Sequence, residues 1–263
     1  MDHNRVVRKE FSKQAARFGD QGLTLSSQDL LDWIVDSLPL KKEFRVLDVA
    51  AGTGHLSRAI APRVNEVAAI DLTPAMLAQA REEAARQNLT NIVFEEGNAE
   101  RLPYETGRFD LVASRLALHH FEKPIIPLRE MARVCKPDGR LAAIDLMAPE
   151  DPKIAATYNS LERSRDPSHT AALSITQMKA LFADAGLAIE TLETRNVEVD
   201  FQRWTQMTGT APGVTEALKE RLLKDLGADS ETGMRPFIRN GALKFLQVWA
   251  IAVGKKASVA KRA

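Results

Sequence analysis

The stretch VLDVAAGTGHLSRAI, Val46–Ile60, decides the fold. Three branched apolar residues and an aspartate run into a small-residue turn holding Gly52 and Gly54, and a helix-like pattern follows. A continuous apolar run of this kind is a strand buried on both faces, so a parallel sheet covered by helices is expected around it. Working outward, FRVLDVA, VAAID, NIVFEEG, FDLVAS and GRLAAIDLM read as five successive strands. Helical patterns separate them. In TPAMLAQAREEAARQN, Thr73 is a candidate N-cap, Pro74 takes the first helical position, and Met76, Leu77, Ala80 and Ala84 share one face. EKPIIPLREMARVCKPDG reads as another helix, stopped by Pro137 and Gly139. After Pro149 come a long helical stretch, a strand in GLAIETLETRNVEV and a last strand in ALKFLQVWAIAVG. The material between those two strands, Phe201 to Gly241, is too long for a hairpin loop.

Composition bounds the rest. The chain has 263 residues, 44% hydrophobic and 27% charged, with a formal net charge of +1. That is enough for a sizeable core, and it gives no field for gripping a nucleic-acid backbone. The one basic run, KKASVAKRA from Lys255, is expected to be a solvated tail. Neither a signal-peptide pattern near Met1 nor an apolar run of about twenty residues is present, so a cytoplasmic protein without a membrane span is expected. The single cysteine, Cys135, excludes an internal disulfide framework and reads as a small core residue.

In a doubly wound sheet the turn after the first strand lies where ligands bind, at the carboxyl ends of the strands. Gly52 and Gly54 let a ligand approach the backbone. GTGHLS is close to a dinucleotide fingerprint with Ser57 in its third slot, and Asp71 follows Gly52 by about 20 residues at the end of the second strand. A carboxylate there can accept both hydroxyls of a ribose, in NAD or in S-adenosylmethionine. Asp48 separates the two. It would repel a pyrophosphate at the helix N-terminus, but it suits the ammonium and sulfonium of S-adenosylmethionine.

LDVAAGTGHL, AIDLTPAML, GNAERLPYETGRFDLVASRLALHHF and REMARVCKPDGRL together resemble class I S-adenosylmethionine-dependent methyltransferases, over Phe44 to about Pro152. The chain is most similar to the quinone C-methyltransferase-like (methyltransferase type 11), small-molecule branch. The resemblance implies an α/β, doubly wound, Rossmann-like sheet of seven strands in the order 3-2-1-4-5-7-6, the last antiparallel, with helices on both faces. It implies a single domain over residues 1–254, with a helical cap in 1–40, the cofactor core in 44–150 and substrate-side elements in 151–254, and a flexible basic tail in 255–263. It further implies S-adenosyl-L-methionine as cofactor, leaving S-adenosyl-L-homocysteine, and a small molecule as acceptor. Oligomeric state, monomer or homodimer, is not set by the sequence.

Carried across residue by residue, the resemblance puts the methionine part of the cofactor in the Ala50 to Gly54 turn with Asp48 near its ammonium. Asp71 falls on the ribose, Leu72 and Met76 near ribose and adenine, and Asn98 and Ala99 beside the adenine amine. Ser114 and Arg115 fall at the cofactor's edge. Three departures stand out: Ala50 and Asp138 where relatives carry glycine, and Asn98 where an aspartate is usual. Similar O-methyltransferases use a histidine after the fourth strand and a carboxylate at the end of the fifth as proton acceptors, here His119 and Asp145. In a helical segment His120 would point about 100° from His119, which favours packing for one of the pair. Leu116, Ala117 and Leu118 are apolar where metal-dependent relatives carry carboxylates, so no metal is expected. In KEFSKQAARFGDQG, Phe11, Ala15 and Phe18 share a helical face, which would either cover the cofactor as a lid, as in similar family members, or pack on the sheet as an ordinary amphipathic helix. In NSLERSRDPSHTAALS, Arg163, Arg165, Asp166 and His169 around Pro167 would either hang over the acceptor site or form a capping and salt-bridge turn, with Asn159 and Trp204 as lesser candidates. Two other functions keep part of this pattern. One is an NAD-dependent oxidoreductase, disfavoured by Asp48 and by the lack of a Tyr-x-x-x-Lys pair. The other is a non-catalytic adenosyl-binding protein, which would need no pocket histidines. A base-flipping nucleic-acid methyltransferase is disfavoured because the fourth strand ends in SRLA.

Overall fold

Val46, Leu47 and Val49 are fully buried because their strand, β1 (Arg45–Val49), lies in the middle of the sheet with both faces covered. It pairs in parallel with β2 (Glu66–Asp71) and β4 (Phe109–Arg115), so the carboxyl ends of all three reach one edge together. The computed structural model describes residues 3–15, 24–227 and 230–257. β3 (Ile92–Glu96) flanks β2, and β5 (Cys135–Met147) flanks β4. β8 (Ala242–Lys256) then runs antiparallel between β5 and β6 (Leu187–Asp200). A three-residue β7 (Phe237–Arg239) pairs with the start of β8. It lies inside the 201–241 segment and makes the final strand the eighth. The expected order 3-2-1-4-5-7-6 is thereby observed as 3-2-1-4-5-8-6.

Alternate residues of the central strands feed two cores. Val46, Leu111, Ala142 and Ile144 face α2 (Gln28–Ser37) and α3 (His55–Ile60) through Ile34, Val35, Leu56 and Ile60. Leu47, Val112, Leu141 and Ala143 face α5 (Ile125–Val134) and α7 (Ile175–Asp184) through Leu128, Met131, Met178 and Phe182. α4 (Pro74–Arg86) packs on β3 and β2. A third apolar cluster joins α6 (Pro152–Arg165), α8 (Phe201–Thr208) and α9 (Pro212–Lys224) to the β6–β8 end through Tyr158, Trp204, Leu222, Phe245 and Trp249. α1 (His3–Gln14) lies against α4 and α8.

Three local expectations change. α5 ends at Val134, and Cys135 to Gly139 already belong to β5, because Pro137 drives Lys136 out of helical geometry. Gly139 is needed there: a Cβ would lie 2.7 Å from Asp110 O and 2.7 Å from Cys135 Sγ. Thr73 stands at the N-cap of α4, but its side chain makes no capping bond, and its backbone N donates to Asp71 instead. The basic run from Lys255 begins inside the sheet, where Lys255 Nζ pairs with Glu190 Oε1 at 2.8 Å and Lys256 Nζ donates to Cys135 O at 2.6 Å. Residues 258–263 lie outside the described residues. Among the described residues, no helix is long and apolar enough to cross a membrane.

Candidate active site

The turn between β1 and α3 is built from left-handed backbone: φ is 55° at Ala50, 56° at Gly52 and 75° at Gly54. The two glycines serve different ends. A Cβ on Gly54 would lie 3.1 Å from Phe94 Cε1 and 3.3 Å from Ala80 Cβ, so this glycine seats the turn on α4 and β3, and Gly54 does not itself line the cavity. A Cβ on Gly52 would meet nothing within 4 Å, so Gly52 leaves open space above its backbone. Asp71 ties the two turns together. Its Oδ2 accepts from Gly52 N and its Oδ1 from Thr73 N, both at 2.8 Å. Burial raises the Asp71 carboxyl above its ordinary value, and these backbone donors oppose that rise.

Asp48 is buried at the foot of the same turn. Its Oδ2 accepts from Ser57 Oγ at 2.5 Å, while its Oδ1 has no hydrogen-bond partner among the described residues. Burial pushes its pKa up to about 7, against the lowering effects of Ser57 and the Arg115 charge. Arg115 is lowered by burial to about 10 and stays cationic near neutrality; its guanidinium lies 5.6 Å from the Trp249 ring centre. A buried carboxylate oxygen without a donor is costly, and it fits a ligand that brings a cation. With the open space over Gly52 and the carboxylate at the end of β2, these residues fit the amino-acid head and ribose of S-adenosylmethionine.

Three histidines gather beyond β4, where Leu118–His120 forms a 3-10 turn. Leu116, just ahead of it, is left-handed at φ 54°, so Leu116 and Ala50 carry strained backbone at two edges of one cavity. His119 Nδ1 lies 2.5 Å from Asp145 Oδ1, and His119 N donates to Asp145 Oδ2 at 3.2 Å. His119 lines the cavity; Asp145 sits behind it. Its ring is thus fixed with Nδ1 toward the carboxylate, leaving Nε2 as the nitrogen able to take a proton. His120 also lines the cavity. Its Nδ1 donates to Ser168 O at 3.0 Å, and burial with His119 alongside lowers its pKa to about 3, which keeps it neutral. Both histidines nonetheless reach the same cavity, their ring centres 4.1 Å apart and tilted at 44°. His169 is packed behind them, 2.7 Å from Asn159 Oδ1 through Nε2 and driven well below its ordinary pKa by burial.

One cavity collects Phe11, Asp48, Ala50, Gly52, Asp71, Leu72, Asn98, Ala99, Arg115, His119, His120, Arg165, Asp166 and Trp204 of the sequence-derived candidates. Asn98 already accepts from Glu100 N through Oδ1 at 2.8 Å. Other candidates stand outside the lining. Met76 is buried in α4, Ser114 binds Val49 O at 2.9 Å, and Asn159 and His169 hold each other. Arg163 is exposed and donates to Thr170 O. Phe18 lies outside the described residues. The face that α1 turns to the cavity is Asn4, Val7, Phe11 and Gln14, not the face shared by Phe11 and Ala15. Helix spacing of three and four residues carries that face, which begins upstream of Lys9 at Asn4. Gln247 and Trp249, two apart on β8, also line the cavity; the signal for them is a polar residue inside the otherwise apolar run 245–254. α1 is anchored across the opening by His3 Nε2 to His120 O at 2.8 Å, Arg8 Nε to Leu72 O at 3.1 Å, and an edge-to-face contact of Phe11 with His120. Among the described residues, no group of three or more His, Cys, Asp or Glu is arranged to hold a metal.

This sheet order, with the turn, carboxylates and cavity at the carboxyl ends of its strands, defines a class I S-adenosylmethionine-dependent methyltransferase. Residues 40–205 match the methyltransferase domain family, and the chain belongs to it. It is 36% identical over 200 residues to the uncharacterized methyltransferase YcgJ of Bacillus subtilis, covering 76% of this chain and 79% of that one. It is 32% identical over 187 residues to the ubiquinone/menaquinone biosynthesis C-methyltransferase UbiE of Ectopseudomonas mendocina, covering 66% and 72%. The crystal structure of YcgJ superposes with a TM-score of 0.80 at 30% identity, covering 88% of this chain and all of that one.

Proposed function

We propose that this methyltransferase acts on a small molecule whose accepting atom is an oxygen, or a carbon activated by an ionising hydroxyl, and that His119 removes the proton. The observation that carries this reading is the His119–Asp145 pair, 2.5 Å apart and buried, with the His119 ring on the cavity wall. S-adenosylmethionine supplies an electrophilic sulfonium methyl when bound. Asp48 and the Gly52 turn bind its amino-acid end, Asp71 binds its ribose, and Leu72, Asn98 and Ala99 lie toward its base. The protein's task is then to hold the accepting atom in line and to exclude water. His119 Nε2 takes the acceptor's proton, and Asp145 fixes the tautomer and stabilises the imidazolium that results. His120, held neutral, shapes the wall and needs no charge change. The small-molecule assignment is supported by likeness to UbiE, whose name places it in quinone biosynthesis.

His119→Ala tests this. It should lower turnover by about 10²-fold to 10⁴-fold and leave S-adenosylhomocysteine affinity nearly unchanged. Equal turnover in both proteins would move the histidine from catalysis to shape.

A further inference from the structure

Two buried polar side chains in the cavity are left without partners, and they come from elements that pack against each other. Gln14, on α1, is 1% exposed, and neither its amide nitrogen nor its amide oxygen has a hydrogen bond among the described residues. Trp204, on α8, is 5% exposed, and its Nε1 likewise has none. Both line the cavity, and α1 packs on α8. Trp204 belongs to the apolar cluster at the β6–β8 end, while the turns of Gly52, Asp71 and Asn98 follow β1, β2 and β3, with His119 after β4 between them. The cofactor residues therefore lie toward one side of the cavity and Trp204 toward the other, with Gln14 on a helix that touches both α4 and α8.

The walls of that half are aromatic and apolar: Phe11, Trp204 and Trp249, with Met207. Two arginines line it, Arg165 and Arg203, and Arg165 is balanced from behind. Trp249 Nε1 donates to Gln247 Oε1, Gln247 Nε2 donates to Glu162 Oε1, and Glu162, fully buried, pairs with Arg165 at 3.2 Å. Arg165 in turn lies 5.1 Å from the Trp204 ring centre and has no partner at Nε. Asp166, the carboxylate at this corner, is taken up by Ser168 N at 2.9 Å and Ser168 Oγ at 2.5 Å. An indole N–H can only donate, and a guanidinium can only donate, so what meets them must be an acceptor.

We infer that the α1–α8 corner is the acceptor subsite and that it takes a planar, aromatic molecule bearing a carbonyl or carboxylate oxygen, which Trp204 Nε1 and Gln14 hold while its hydroxyl faces His119. This rests on the proposed function and names the substrate class of that site. A cationic amine in the same place would leave the indole donor unmet beside Arg165.

Three probes of one skeleton test it: meta-hydroxybenzoate, meta-hydroxybenzamide and meta-hydroxybenzylamine, each titrated by calorimetry into protein saturated with S-adenosylhomocysteine. Saturation, measured first, reports separately on whether the underlying cofactor assignment stands. At least one of the two oxygen-bearing probes should bind about tenfold or more tightly than the amine, the ratio one well-made hydrogen bond supplies. Trp204→Phe, which keeps an aromatic ring and removes the donor, should abolish that ratio without changing S-adenosylhomocysteine affinity. Gln14→Leu, on the helix outside the sheet, should weaken the oxygen-bearing probes severalfold and guards against misfolding of the first variant. Equal affinities for all three probes, no binding of either oxygen-bearing probe, or a preference that survives both substitutions overturns the assignment.

Discussion

Replacing Asp48 with asparagine should make the protein more stable at mildly alkaline pH while weakening its cofactor site. The carboxyl has moved from its ordinary 3.8 to about 7 because burial penalises the charge. At 1.36 kcal/mol per pKa unit, that rise of about three units corresponds to about 4 kcal/mol. The folded value lies above the unfolded one, so the group's contribution is fully present below about pH 4, is lost as pH rises through about 7, and is gone above it. Asparagine has no such dependence, and it can still accept from Ser57 Oγ. Urea unfolding of both proteins, followed by tryptophan fluorescence at about pH 4 and about pH 8, isolates the effect as a double difference in which any constant packing penalty cancels. The stability of the asparagine variant relative to wild type should rise by up to about 4 kcal/mol between the two conditions. A relative stability that stays constant within about 1 kcal/mol refutes the claim that Asp48 is held at the cost of fold stability. In the same pair, S-adenosylhomocysteine binding near neutral pH should release protons from wild type only, since the ligand's ammonium favours the ionised carboxylate.

Two further outcomes follow from the cavity's rim. The amides of α1 should exchange more slowly when S-adenosylhomocysteine is bound, because Val7, Phe11 and Gln14 close one side of the cavity; equal exchange rates with and without ligand would make α1 permanent packing. Gly54→Ala and Gly52→Ala should separate fold from function. The first puts a Cβ 3.1 Å from Phe94 Cε1 at φ 75° and should cost about 1–3 kcal/mol in urea unfolding. The second meets no neighbour within 4 Å and should cost less, yet weaken S-adenosylhomocysteine binding by filling the open space above the turn. The reverse ranking in either assay would contradict the roles assigned to the two glycines.

The sheet was legible because its central strands are buried on both faces, and such strands announce themselves as unbroken runs like VLDV and LVAS. β7 was not, since three residues on the rim of the sheet carry no period. The proposed cofactor half was legible for a related reason: Asp48 lies in β1, Gly52 in the turn after it, Asp71 at the end of β2 and Asn98 just after β3, all at fixed distances from recognisable segments. The half proposed for the acceptor is assembled from α1, α6, α8 and β8, far apart in sequence, and its wiring cannot be read from spacing. The Trp249–Gln247–Glu162–Arg165 chain joins residues of β8 and α6. His169 shows the same limit from the other side. Its neighbourhood to Arg165 and Asp166 suggested a pocket residue, but Asn159 draws it into the packing behind His119.

The central claim is that the turn joining Asp48, Gly52 and Asp71 binds the S-adenosyl ligand, and calorimetric titration with S-adenosylhomocysteine, repeated with excess NAD and in a folded Asp71→Ala variant, tests it most directly. The account predicts one site per chain, no displacement by NAD, and an affinity lowered by about a hundredfold in Asp71→Ala, as the loss of two charge-assisted hydrogen bonds requires. Tight binding of NAD in place of S-adenosylhomocysteine, or an S-adenosylhomocysteine affinity untouched by Asp71→Ala, would contradict it.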